Sequence, residues 1–165
     1  AINNARILLR EPNQYEARAE IMWAGTIAHN NLLGTGRVGD WSSHMIEHEL
    51  SGIYDVPHGA GLAVIFPAWM KYVYQENVER FVQFAVRVWD VDLSYESSEA
   101  IALEGIRRIE AFFSEMGLPV RLDQLGVPND EHFVEMAGKA VAYGPLGNFK
   151  KIHNEDALNI LKLAQ

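Results

Sequence analysis

The sequence predicts an all-α fold, a multi-helix bundle, on three observations. Apolar residues recur at helical spacing along nearly the whole chain. No segment alternates apolar and polar residues as a half-buried strand would. Clusters of Gly, Pro and Asn cut the pattern into pieces of helix length. With 165 residues, 48% of them apolar, the chain is long enough to enclose a core. Residues 1–165 are therefore expected to form a single helical domain.

Each element has its own signal. Ala1 to Arg6 opens on a polar helix pattern. A first full helix is expected from about Gln14 to Leu33, started by Pro12-Asn13 and ended by Gly34-Thr35-Gly36, with Ile21, Ala24, Ala28 and Leu32 as its stripe. The second runs from about Asp40, its N-cap, to Tyr54. The third begins at Pro57, carries Ala63, Phe66, Met70 and Val73, and should kink at Pro67. A fourth spans Val78 to Trp89. A fifth spans Ser97 to Met116, buries Ile101, Ile106, Ile109, Phe112 and Phe113, and stops at Gly117-Leu118-Pro119. Arg121 to Val127 connects it to a helix capped by Asn129 that reaches about Tyr143. Asn154 caps the last one, which carries Leu158, Ile160, Leu161 and Leu163. Short connections between about seven helices describe a bundle.

Composition narrows the function. A net charge of -8 argues against nucleic acid and anionic membrane as partners. The longest apolar stretch, Gly61 to Met70, holds Pro67 and falls short of the roughly 20 residues a membrane span needs. No leader pattern opens the chain, and there is no cysteine, so a cytoplasmic setting is expected. Without thiolates, only His, Asp and Glu remain as metal ligands.

Three of the six histidines, His44, His48 and His58, fall within fifteen residues, in GDWSSHMIEHELSGIYDVPHGAGLAVIFP. Imidazole is a common transition-metal ligand and titrates near neutrality. On a helix His44 and His48 are one turn apart on one face, so spacing alone pairs those two. His58 would add a third nitrogen if its helix folds back. His29, His132 and His153 read as structural. Trp23, Trp41 and Trp69 read as core or pocket wall, and Arg107-Arg108 as a solvated face.

His44-Met45-Ile46-Glu47-His48 also fits H-x-x-E-H, in which the histidines hold zinc and the glutamate is a general base. A zinc hydrolase built on His44, Glu47 and His48 would need a further carboxylate from a later helix, where Glu104, Glu110 and Glu115 lie. A non-catalytic helical assembly domain is the third alternative.

The longer pattern is more specific. His44, His48 and Pro57-His58-Gly59 followed by a hydrophobic run resemble a signature of the iron-containing alcohol dehydrogenase family. YEARAEIMWAGTIAHNNLLGTG, DWSSHMIEHELSGIYDVPHGAGLAVIFPAWMKYV and NEDALNILKLA resemble its butanol-dehydrogenase-like branch over nearly the whole chain. The resemblance implies the C-terminal helical metal domain of a dehydroquinate synthase-like fold, with the N-terminal nucleotide-binding domain outside this chain.

It implies as well an enzyme that transfers hydride between NAD(P)H and a primary alcohol or aldehyde, using Fe²⁺ or Zn²⁺. His44 and His58 are the implied metal ligands. His48 is implied beside the metal and nicotinamide, as a catalytic and cofactor-binding residue. Resemblance and spacing thus disagree on the ligand pair, and the longer match carries the greater weight. The family's other two ligands come as Asp-x-x-x-His on an upstream helix. Asp40 has that spacing to His44 but would use His44 twice, so it reads as an N-cap. The glycine-rich pyrophosphate loop is not found either. The isolated chain is therefore expected to be inactive, with exposed apolar surface and a tendency to homo-oligomerise.

Overall fold

The polar opening of the chain forms a full helix, α1 (Ile2–Arg10), followed by α2 (Tyr15–His29). These belong to the first of two compact units, Ala1–Gly39 and Asp40–Gln165, into which the computed structural model gathers its contacts. It describes residues 1–94 and 97–165. The sequence led us to expect one domain over 1–165.

In the first unit, Gln14 Oε1 accepts from the Ala17 amide at 2.5 Å and caps α2. The Arg18 guanidinium donates to the Pro12 carbonyl. Helix α2 ends at His29, short of the expected Leu33. There the Asn30 side chain accepts from the Leu32 amide at 3.0 Å and Asn31 turns left-handed (φ 64°), which ends helical bonding. Ala17 is the buried apolar side chain of this unit. Trp23, expected in a wall or core, is 60% exposed and lines a surface groove with Tyr15 and Met22, so it is wall and not core. His29 Nδ1 pairs with the Gly25 carbonyl at 2.9 Å, a structural role as expected.

The second unit holds α3 (Ser42–Tyr54), α4 (His58–Val73), α5 (Val78–Trp89), α6 (Ser98–Glu115), α7 (Phe133–Ala140) and α8 (Asn154–Leu163). Helix α5 spans the Val78 to Trp89 expected from periodicity, and Asn77 Oδ1 caps it by accepting from the Arg80 amide at 3.1 Å. Ser97 Oγ caps α6 through the Ala100 amide at 3.1 Å. Two caps shift. Asn129 accepts from the Glu131 amide at 3.2 Å and makes a local turn, so α7 begins later, at Phe133. The cap of α8 is His153, whose amide donates to Asp156 Oδ2 at 2.7 Å. Among the described residues the one extended pairing is an isolated antiparallel bridge, Leu146–Ile152.

The apolar helix α4 is the axis of this unit and packs on α3, α6 and α8. Val64, Ile65 and Val73 are buried on it, and Tyr72 donates to Asp156 of α8 at 2.6 Å. It continues through the buried Pro67. Helices α5 and α6 cross so closely that a Cβ on Gly105 would stand 2.5 Å from that of Ala85. Arg107 and Arg108 are more than a solvated face: they clamp the buried Glu104 with bonds of 2.6–2.7 Å. No helix among the described residues is long and apolar enough to cross a membrane.

Candidate metal centre

The site grows from the register of α3. Ser43, Ile46, Glu47 and Leu50 follow the i, i+3, i+4, i+7 spacing of one helical face, and all four are buried. His44 and His48 border that face, His44 half-buried and His48 exposed. Asp55 then turns left-handed (φ 52°), ending α3. Val56-Pro57 starts α4 at once, and His58 lies in its first turn.

The turn brings His58 back against α3. Its ring centroid lies 5.1 Å from that of His48 and 5.6 Å from that of His44. Trp41 sets its ring edge-on to His44 at 4.8 Å, while itself 65% exposed, so it borders the site rather than the core. Burial first, and then the neighbouring His58 and His48, hold the His44 imidazole below its ordinary pKa against the opposing charge of Glu47. That favours the neutral form a metal needs.

Glu47 is the residue on which the hydrolase alternative rests. It is 0% exposed. His58 Nδ1–H donates to its Oε2, and Ser51 Oγ donates to its Oε1 at 2.5 Å. Its carboxylate fills the space beside Gly61, where a Cβ would sit 2.8 Å from Glu47 Cγ and Cδ. A hydrolytic base must reach water, and this carboxylate is sealed between a helix start, a hydroxyl and an imidazole. With Nδ1–H committed to Glu47, His58 presents Nε2 as its free ligand atom, the arrangement in which a carboxylate orients a metal-binding histidine. The buried spacing Ser43, Ile46, Glu47, Leu50 was the signal that could have found it.

The carboxylates on the later helix are also engaged: Glu104 with its arginines, and Glu110 with Lys71 at 2.5 Å. Asp40 lies before α3 and accepts from the amides of Ser42, Asn148 and Phe149 at 2.9, 2.6 and 2.8 Å. Burial would raise its pKa, but these bonds and the Ser42 hydroxyl outweigh it, and the carboxyl is held below its ordinary value. It closes the turn that leads into α3, whose N-cap is Trp41 rather than the expected Asp40, and it ties down the 147–149 loop. Among the described residues, one group has ligand atoms all within 4.8 Å of one another: Glu47, His48 and His58. Of the three histidines singled out from the sequence, His48 and His58 belong to this group and His44 does not; its ring lies 5.6 Å from that of His58.

The family model for the C-terminal domain of the Fe-containing alcohol dehydrogenase family matches residues 1–165. The chain belongs to the iron-containing alcohol dehydrogenase family. It is 45% identical over 161 residues to the Probable NADH-dependent butanol dehydrogenase 1 of Bacillus subtilis (strain 168), covering 98% of this chain and 41% of that protein. Against the NADH-dependent butanol dehydrogenase A of Clostridium acetobutylicum the identity is 38% over 164 residues, 98% of this chain and 42% of the other. The crystal structure of an NADH-dependent butanol dehydrogenase A from Thermotoga maritima superposes with a TM-score of 0.91 at 36% identity, covering 99% of this chain and 42% of that one. The all-helical fold expected from periodicity is thus the C-terminal fold of the iron-containing alcohol dehydrogenases. The chain spans about two fifths of the length of these relatives.

Proposed function

We propose that the protein containing this chain is a metal- and nicotinamide-dependent dehydrogenase that interconverts a small primary aldehyde and its alcohol. The observation that carries this reading is the convergence of His44 and His48 on His58, with Glu47 buried behind His58. The names of the relatives point to butanol-like substrates and to NADH, and the family name to iron over zinc.

His44 and His58 would hold the metal as neutral imidazoles, with the remaining ligands supplied from outside this chain. Glu47 supports His58 rather than coordinating, because both of its oxygens are already bonded in a site without exposure. The bound metal supplies a Lewis acid that polarises the carbonyl oxygen, and the nicotinamide supplies the hydride. His48 is exposed one turn from His44 on α3, so it can orient the nicotinamide or pass a proton to the nascent alkoxide while leaving the metal in place.

The experiment is metal content and turnover in full-length His44→Ala, His48→Ala and His58→Ala variants. We expect His44→Ala and His58→Ala to lose the metal, and His48→Ala to keep it while kcat drops about a hundredfold. Equal loss of metal in all three would overturn the division of roles. Retention of metal in His58→Ala would overturn the site.

A further inference from the structure

Glu47 can orient His58 only as firmly as its own carboxylate is held. The His58 side chain is 47% exposed, so packing does not lock its ring. The bond from Nδ1–H to Glu47 Oε2 is what sets the way the imidazole faces. A glutamate side chain has several rotatable bonds, and a carboxylate held at one oxygen can still swing about that contact. What holds the second oxygen therefore decides how well His58 is aimed.

Ser51 holds it. This residue lies one turn after Glu47 on α3, on the same face. Its Oγ donates to Glu47 Oε1 at 2.5 Å and lies 3.1 Å from the Val56 carbonyl. One hydroxyl carries one hydrogen, and the nearer, charged acceptor takes it. The Ser51 carbonyl meanwhile accepts from the Asp55 amide at 2.9 Å, the bond that closes α3. Ser51 is thus anchored at the turn that delivers His58. Gly61 bounds the slot from the α4 side, where a side chain would run into the carboxylate. Loss of the hydroxyl would strip a donor from a carboxylate that has no exposure of its own, an expensive vacancy.

We propose that Ser51 is a positioning residue of the metal centre: its hydroxyl fixes the Glu47 carboxylate, and the carboxylate fixes His58 with Nε2 left for the metal. The inference rests on the dehydrogenase reading and adds to it a residue that governs metal affinity through two side chains rather than by contact. Two consequences separate this role from a merely structural one. Threonine, which keeps the hydroxyl, should replace Ser51, and the effect of Ser51 should vanish once Glu47 is gone.

The test uses the full-length protein with isotope-labelled histidine. Nitrogen NMR without metal reads the tautomer of His58, whose signals are identified by their loss in His58→Ala. The Kd for Fe²⁺ is measured under nitrogen against a competing chelator. Both are compared in the native protein, Ser51→Ala, Ser51→Thr, Glu47→Ala, and Glu47→Ala combined with Ser51→Ala. Native His58 should carry its hydrogen on Nδ1. Ser51→Ala should mix the two tautomers and raise the Kd about tenfold or more, and Ser51→Thr should restore both. In the Glu47→Ala background, Ser51→Ala should move the Kd by less than about twofold. If Glu47→Ala fails to fold, the Ser51→Ala and Ser51→Thr pair decides. A Ser51→Ala protein with the native tautomer and a Kd within about twofold of native would overturn the proposal while leaving the dehydrogenase reading intact. An equal loss in the Glu47→Ala background would overturn it too, by showing that Ser51 acts through the turn into α4. A His58 tautomer that answers to Ser51 in a native protein that binds no Fe²⁺ would uphold the positioning and overturn the dehydrogenase reading.

Discussion

Leu50 and Leu33 are one side chain in two settings. Leu50, on α3, has no exposure at all, whereas Leu33, after α2, is 58% exposed. The contrast extends to their units. Within 40–165, α4 alone buries Val64, Ile65, Met70 and Val73, and α8 buries Ile160 and Leu161. Within 1–39 Ala17 is buried, while Tyr15, Met22, Trp23, Leu32 and Val38 are each more than half exposed. Helices of the second unit are therefore held by packing. Those of the first rest on local devices such as the Gln14 cap, and an unpacked helix the length of α2 is marginal in water.

Amide hydrogen exchange on the 165-residue chain should show the largest effect of this difference. Amides of α4 and α6 should exchange only through global opening, and those of α1 and α2 at least about a hundredfold faster through local opening. Equal protection in the two units would break the comparison, by showing that the apolar side chains of residues 1–39 gain cover in solution.

A matched pair of substitutions sharpens the comparison at single residues. Leu50→Ala removes a fully packed side chain and should cost about 2–5 kcal/mol. Leu33→Ala, at a site with few neighbours to lose, should stay within about 0.5 kcal/mol. Urea unfolding followed by tryptophan fluorescence measures both, with Trp23 reporting on the first unit and Trp69 and Trp89 on the second. A loss above about 1 kcal/mol in Leu33→Ala would mean the exposed set is packed in solution.

The same difference explains what the sequence revealed. Where a helix face is buried, burial imposes the spacing of its residues. Both ends of α5 and the Ser97 cap of α6 were therefore legible, as were the three histidines, two on α3 and one at the start of α4. Where nothing packs, spacing carries less information. Helix α1 appeared only as a polar pattern, and α2 was read four residues too long because Asn30 and Asn31, not a hydrophobic stripe, decide its end. Glu47 was hidden for a different reason. A glutamate beside a histidine resembles a solvent-facing base, and its burial depends on Gly61 and Ser51 withdrawing or donating at the right places. Those contacts are tertiary, and the sequence carries only the indirect sign that Glu47 shares the spacing of the buried Ser43, Ile46 and Leu50.

Buried charge offers the smallest and most specific test of the packed unit. Glu104 is 9% exposed, and its pKa is lowered to about 2 from an ordinary 4.5, first by the hydrogen bond from Arg107, against the cost of burial, and then by Arg108. A carboxyl whose pKa is lower folded than unfolded adds stability above its unfolded value and loses it as pH falls through the folded one. The contribution of Glu104 should thus be complete above about pH 4.5 and gone by about pH 2. Both arginines are partly exposed, so water screens the pairs, and Glu104→Gln should cost about 1 kcal/mol at neutral pH. Unfolding of the two proteins followed from neutral pH downward should show the gap closing between those limits. A gap that persists unchanged at the acid limit would mean that Glu104 stabilises the α5–α6 crossing by its shape, and that its charge has no part in holding this unit together.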